Sequence, residues 1–142
     1  MEHRYALIVG IEHYNEAQHF IPLSLAQADA RSLYELLIDP ERGGWQSDDV
    51  IYLTGEAATR DELESQLREI CLVRAQPDDL VLLYFAGYAL LDPATQDGYL
   101  VLRSTQAERP ATGLHVPTLV DHYLYGSKAG NILTILDVAH AG

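Results

Sequence analysis

The sequence contains little cysteine, little basic charge and no long apolar run. One Cys in 142 residues excludes an intrachain disulfide framework, so a cytoplasmic setting is the expectation. Apolar runs such as 80–85 and 132–136 are far too short to span a bilayer. Residues 1–4 lead directly into a strand-like run and show no signal-peptide pattern.

The charge balance is strongly acidic. Nine Lys and Arg residues against 21 Asp and Glu give a formal net charge of −12. This excess argues against nucleic acid and membrane surfaces as partners and suits a protein or peptide with basic residues. The alternative interpretation is that the acidic residues only keep the protein soluble.

Strand and helix signals alternate along the chain. A buried strand repeatedly gives way to a stretch with helical apolar spacing, which predicts an α/β fold with a mostly parallel sheet and helices on both faces. Thr59 and Glu62 form a capping-box pattern that predicts the start of the second helix. The predicted strands are 5–11, 50–53, 80–85, 98–102 and 132–136, and the predicted helices begin near 26, 60 and 116.

Two segments near the predicted carboxyl ends of the third and last strands carry the most information. Tyr84–Ala89 reads Tyr-Phe-Ala-Gly-Tyr-Ala, and 136–142 reads Leu-Asp-Val-Ala-His-Ala-Gly. They resemble two motifs of the caspase/metacaspase family (peptidase C14, clan CD). Those motifs read roughly Tyr-Phe-Ser-Gly-His-Gly, which carries the catalytic His, and Leu-Asp-x-Cys-His-Ser-Gly, which carries the nucleophilic Cys. The resemblance places Tyr88 at the His position and Ala139 at the Cys position.

The resemblance extends over most of the chain. Segments 6–11, 25–30 and 97–100 are similar to the family's first strand, the segment at its first helix and its Gly-Tyr-Leu turn. The resemblance implies a single caspase-like domain over 1–142, a three-layer sandwich of the p20 type that is truncated after the nucleophile motif. An open strand edge and exposed apolar surface are then expected beside the last strand, which favours self-association.

The family's chemistry needs a thiolate to attack a peptide carbonyl and an imidazole to handle the proton. Ala139 supplies no nucleophile, and the phenol of Tyr88 is a poor base at neutral pH. The oxyanion loop that the family builds beside its His corresponds to Gly87 and Ala89, and Ala89 stands where the family has Gly. The sequence therefore predicts an inactive site.

The substrate pocket is expected to be retained, although the catalytic residues are replaced. In metacaspases two Asp residues bind a basic side chain, and by motif position these correspond to Asp29 and Asp137. Carboxylates suit this task because Arg offers them a bidentate match. The alternative is that Asp29 is a solvated helix residue and Asp137 a cap on a turn.

Other candidate sites have weaker signals. Cys71 lies on the apolar face of the second predicted helix, where a thiol is inert. No cofactor is predicted, although many metacaspases use calcium, and Asp92, Asp97 and Glu108 form a weak candidate site for it.

Three functions remain open at this point. The favoured one is a catalytically inactive pseudoprotease that acts as a binding, scaffold or regulatory module for basic peptide segments, another copy or a homologous active protease. The second is the large-subunit part of an Arg/Lys-specific cysteine endopeptidase whose nucleophile has been replaced by Ala. A receiver-like or nucleotide-binding α/β domain is the third, disfavoured because no Gly-rich phosphate loop is present.

Overall fold

A computed structural model describes residues 2–140, so Met1, Ala141 and Gly142, the last two from the second motif, lie outside the described residues. The strands are β1 (Arg4–Gly10), β2 (Val50–Thr54), β3 (Leu80–Leu91), β4 (Gly98–Leu100), β5 (Leu114–His115) and β6 (Asn131–His140). The main helices are α1 (Ala26–Ile38), α2 (Arg60–Leu67, continued by a π-helix over Arg68–Arg74) and α3 (Val116–Thr118, continued by a π-helix over Leu119–Leu124). Within residues 2–140 no helix combines the length and apolarity needed to cross a membrane.

The strands form one mixed sheet in which β3 is central. β3 pairs in parallel with β1 on one edge and with β6 on the other, and β2 extends the sheet beyond β1. β1 stops where Gly10 pairs with Ala86, and the antiparallel β4 then takes over the same edge of β3 from Ala89 onward. β5 adds the last antiparallel strand beside β4.

Helices cover both faces of this sheet. On one face α1 packs Ala30 and Leu37 against Ala6, Ile8 and Leu82. On the other face α2 and α3 enclose a larger core, in which alternate residues of β1 and β3 meet the apolar sides of both helices. The structure thus confirms the predicted α/β sandwich with a mostly parallel sheet.

Two of the sequence predictions need correction. The capping box of α2 is only half formed: Thr59 Oγ1 accepts a hydrogen bond from the Glu62 N–H at 3.2 Å, while Glu62 Oε1 accepts one from Gln66 instead of reaching back. The third and last strands are also longer than predicted, because β3 and β6 pair without interruption from Leu80–Asn131 to Ala89–His140. Residues 84–89 and 136–140 of the two motif segments therefore lie in extended strand, not in loops beyond the strand ends.

Candidate functional site

A cleft of about 400 Å³ opens where α1 meets the carboxyl-terminal halves of β3 and β6. One wall is the chain segment that leads into α1, and the opposite wall is β6. We call it the acidic cavity, because its two carboxylates are Asp29 and Asp137. It is lined by residues 22–26, Asp29, Ala86, Gly87 and 137–139.

The two carboxylates of the cavity belong to different elements. Asp29 lies in the first turn of α1, and Asp137 lies in β6 beside Ala86 of β3. Both side chains are exposed, so solvent and salt screen the charge that they present. Together they form a negatively charged site that is open to a ligand from solution.

The pKa of Tyr84 responds to both of these carboxylates. It lies two residues before Ala86 in β3 and is half-buried against the α1 core. Its pKa is raised by burial and further by the charges of Asp137 and Asp29. Since both carboxylates act on one phenol, they share one electrostatic environment.

Gly10 allows α1 to lie close enough to place Asp29 at this edge. A Cβ at Gly10 would come within 2.5 Å of the Ala30 Cβ and 2.7 Å of the Ala26 carbonyl oxygen. Any larger residue would push the start of the helix away from the end of β1. Glycine at the end of β1 therefore helps to define the cavity.

The side chain of Tyr88 is not part of the cavity lining. It is 7% exposed and packs with Tyr14 and Phe20, with ring centroids 5.4 to 5.7 Å apart. We call these three residues the aromatic cluster. The Tyr88 hydroxyl donates a hydrogen bond of 2.9 Å to the carbonyl oxygen of Ile21, so the phenol is engaged in structure.

Tyr14 bridges the gap between two ladders of β3. Its hydroxyl accepts a hydrogen bond from the Tyr88 N–H at 3.3 Å and donates one to the Ile11 carbonyl at 3.2 Å. Burial raises the pKa of Tyr14, and this outweighs the lowering effect of the Tyr88 N–H. Gly87 is needed beside it, because a Cβ there would lie 2.8 Å from the Tyr14 hydroxyl.

The remaining motif residues lie on the paired strands. Ala139 is the direct partner of Tyr88 across the β3–β6 ladder and lines the cavity with a methyl group. Ala89 pairs with Leu100 on one edge and with His140 on the other. Neither Gly87 nor Ala89 has a positive φ, so both lie in ordinary extended strand.

The weaker candidates lie away from the cavity. Cys71 is buried in the core, and burial raises the pKa of its thiol to about 11, so it stays protonated at neutral pH. Asp97 is hydrogen-bonded to His115 Nε2 at 2.8 Å, and Asp92 accepts from the Ala94 N–H. Within residues 2–140 no group of three or more acidic, His or Cys side chains is arranged to hold a metal ion.

Sequence reasoning did not identify three parts of this site. The wall 22–26 precedes α1 in a stretch that has no periodic pattern, and Tyr14 and Phe20 are isolated aromatic residues in the same stretch. No sequence pattern distinguishes Tyr84 from the other strand tyrosines. Only the folded chain shows these residues beside the motif positions.

Comparison with known proteins identifies the family and the fold. The family model of the caspase domain (peptidase C14) matches residues 3–141. The chain belongs to the caspase family. A crystal structure of the protein GSU0716 from Geobacter sulfurreducens superimposes on this caspase-like domain with a TM-score of 0.71 at 22% sequence identity, a likeness that shows the fold. The superposition covers 99% of this chain and 52% of that one, so the domain spans about half the length of this relative. No curated protein matches the sequence.

Proposed function

We propose that this caspase-like domain is catalytically inactive and binds protein segments that carry basic side chains, as a scaffold or regulatory module. One observation carries the proposal. The acidic cavity keeps Asp29 and Asp137 open to solvent, while Ala139 at the family's nucleophile position and Tyr88 at its base position supply no thiol and no imidazole.

The absence of both groups weighs against hydrolysis. Loss of a single member of a nucleophile–base unit lowers kcat by several orders of magnitude. An Ala side chain cannot form a covalent intermediate, and the Tyr88 hydroxyl already donates a hydrogen bond to the carbonyl oxygen of Ile21. We expect no measurable cleavage of peptides with Arg or Lys before the scissile bond.

The alternative is the large-subunit part of an Arg/Lys-specific endopeptidase whose Cys has been replaced. The double variant Tyr88→His, Ala139→Cys separates the two, assayed with Arg- and Lys-directed fluorogenic peptides. Under our proposal it stays inactive, because the side chain at position 88 packs into the aromatic cluster while that at position 139 lines the cavity. Turnover by this variant, lost again when the introduced thiol is alkylated, would favour the endopeptidase.

Binding is tested with an Arg-containing peptide and its Arg→Ala counterpart in fluorescence anisotropy. We expect weak binding of the Arg peptide, several-fold weaker binding of its counterpart, and loss of affinity as salt rises. Asp29→Ala and Asp137→Ala should each abolish the preference. Asp121→Ala is the matched control, since it removes the same charge from an exposed position on α3. Equal binding of both peptides would refute the pocket.

A second proposal concerns partners and rests on β6. This strand pairs with β3 on one edge, and its apolar side chains are exposed on both faces, Leu133 at 53% and Leu136 at 42%. Such a pattern is typical of a strand inside a sheet, and an open apolar edge tends to pair with another chain. We propose that a second copy pairs there, β6 against β6.

Self-association is measured by sedimentation across a concentration series. Ile135→Lys should weaken the dimer at least tenfold, because it puts a charge beside the pairing edge. Leu36→Lys is the control, since both residues are 40% exposed and Leu36 lies on α1. A protein that stays monomeric at high concentration, or an equal effect of the two variants, would overturn this proposal.

A further inference from the structure

Tyr88, which the resemblance places at the family's base position, makes a structural contact that catalysis would not require. Tyr88 extends away from the cavity into the aromatic cluster, and its hydroxyl meets the backbone carbonyl of Ile21 at 2.9 Å. The side chain of Ile21 itself is 65% exposed, so packing of that side chain does little to hold this point of the chain. The hydrogen bond attaches the loop through its backbone.

The attached point adjoins one wall of the acidic cavity. Residues 22–26 follow Ile21 directly and line the cleft on the side opposite β6. Two further backbone hydrogen bonds shape this wall, from the Leu23 N–H to Glu12 and from the Ala26 N–H to Leu23. The wall thus depends on a loop that one buried phenol ties to the central strand.

The surrounding contacts fix the phenol in place. Tyr14 and Phe20 pack against its ring, and Phe20 is fully buried. The Tyr88 N–H is held by the Tyr14 hydroxyl, which is tied in turn to Ile11. An imidazole is shorter than a phenol and would not reach the Ile21 carbonyl from the same backbone position.

We propose that Tyr88 is a positioning residue that holds the 21–26 wall of the acidic cavity, so that the Tyr at the family's base position sets the shape of the ligand site. The part of this inference that concerns ligand affinity rests on the proposed function. The part that concerns the loop stands on the hydrogen bond and the packing alone.

The test compares Tyr88→Phe with Tyr52→Phe in the full chain. Tyr52 is the matched control, since its hydroxyl also donates to a backbone carbonyl, that of Gln27 on α1 at 3.4 Å. Amide hydrogen exchange is measured at Leu23 and Ala26, and peptide affinity by anisotropy. Losing this part-buried hydrogen bond should speed exchange at these amides about tenfold in Tyr88→Phe, with several-fold weaker binding of the Arg peptide. Tyr52→Phe should leave exchange at Leu23 unchanged, since its hydrogen bond holds Gln27 in the first turn of α1 and not the loop before it.

Tyr88→His sharpens the test, because it should loosen the same amides as Tyr88→Phe does. Unchanged exchange at Leu23 and Ala26 in both Tyr88 variants would overturn the proposal, and so would faster exchange spread evenly over the β1 and β3 amides. If the unaltered protein does not bind the Arg peptide, the proposed function fails, while the exchange data still decide the role of Tyr88.

Discussion

The aromatic cluster and the acidic cavity meet at Gly87 and differ in almost every physical respect. The cluster consists of three buried rings whose two hydroxyls are hydrogen-bonded, whereas the cavity presents two exposed carboxylates. Tyr88 belongs to the cluster, and Asp29 and Asp137 belong to the cavity. The residues singled out by the two motif segments therefore lie in two different environments, one buried and one exposed to solvent.

The largest expected contrast is in stability. Phe20→Ala should lower the free energy of unfolding by about 3–5 kcal/mol, because it empties a fully buried ring site. Asp29→Ala should change it by less than about 0.5 kcal/mol, since the side chain is exposed. Urea denaturation of both variants measures the difference. Similar losses in the two variants would show that the cavity contributes as much to folding stability as the cluster does.

Gly87 tests the boundary between the two regions. Gly87→Ala places a methyl group 2.8 Å from the Tyr14 hydroxyl and 3.2 Å from the Phe85 ring, which should cost about 1–3 kcal/mol of stability. Gly98→Ala is the control, because its nearest neighbour, Val116, would lie at an ordinary 3.8 Å. Equal stability of these two strand variants would contradict the tight packing at the boundary.

The buried phenol of Tyr14 should make the free energy of unfolding decrease at alkaline pH. Its folded-state pKa is raised by burial, so the neutral phenol stabilises the fold fully below about pH 10, the value for an unfolded Tyr. As pH rises above about 10, the unfolded chain loses a proton that the folded chain retains, and stability falls by about 1.4 kcal/mol per pH unit for this group. Tyr14→Phe should flatten the profile; a profile of unchanged slope in Tyr14→Phe would argue against this role.

The smallest effect concerns the cavity. Burial raises the pKa of Tyr84, and Asp137 and Asp29 raise it further, so Asp137→Asn and Asp29→Asn should each lower it. Ultraviolet titration of tyrosinate, with Tyr84→Phe to assign the signal, measures the shift. Asp121→Asn, on α3, should have no effect. If the Asp29 and Asp137 variants behave like this control, the two carboxylates do not share the environment of Tyr84.

Local patterns in the sequence were enough to predict the order and type of the main elements. Continuous apolar runs indicated β1 and β3 because a strand covered on both faces needs apolar residues throughout. The spacing of Ala26, Ala30, Leu33 and Leu37 indicated α1 because those positions share one helical face. Motif resemblance then indicated the caspase family, which the family match over residues 3–141 confirms.

Tertiary structure alone decided where the motif residues point. Strict alternation from Leu83 and Phe85 predicts that Tyr88 faces α1, yet its ring lies in the same core as Phe85. The aromatic partners that draw it there, Tyr14 and Phe20, lie far away in sequence, before α1. The sequence determines which groups are available. Long-range packing and the hydrogen bond to Ile21 determine that Tyr88 contacts the loop at one wall of the cavity instead of entering the cavity. The physical reason is that burial of a ring depends on neighbours that only the fold brings together.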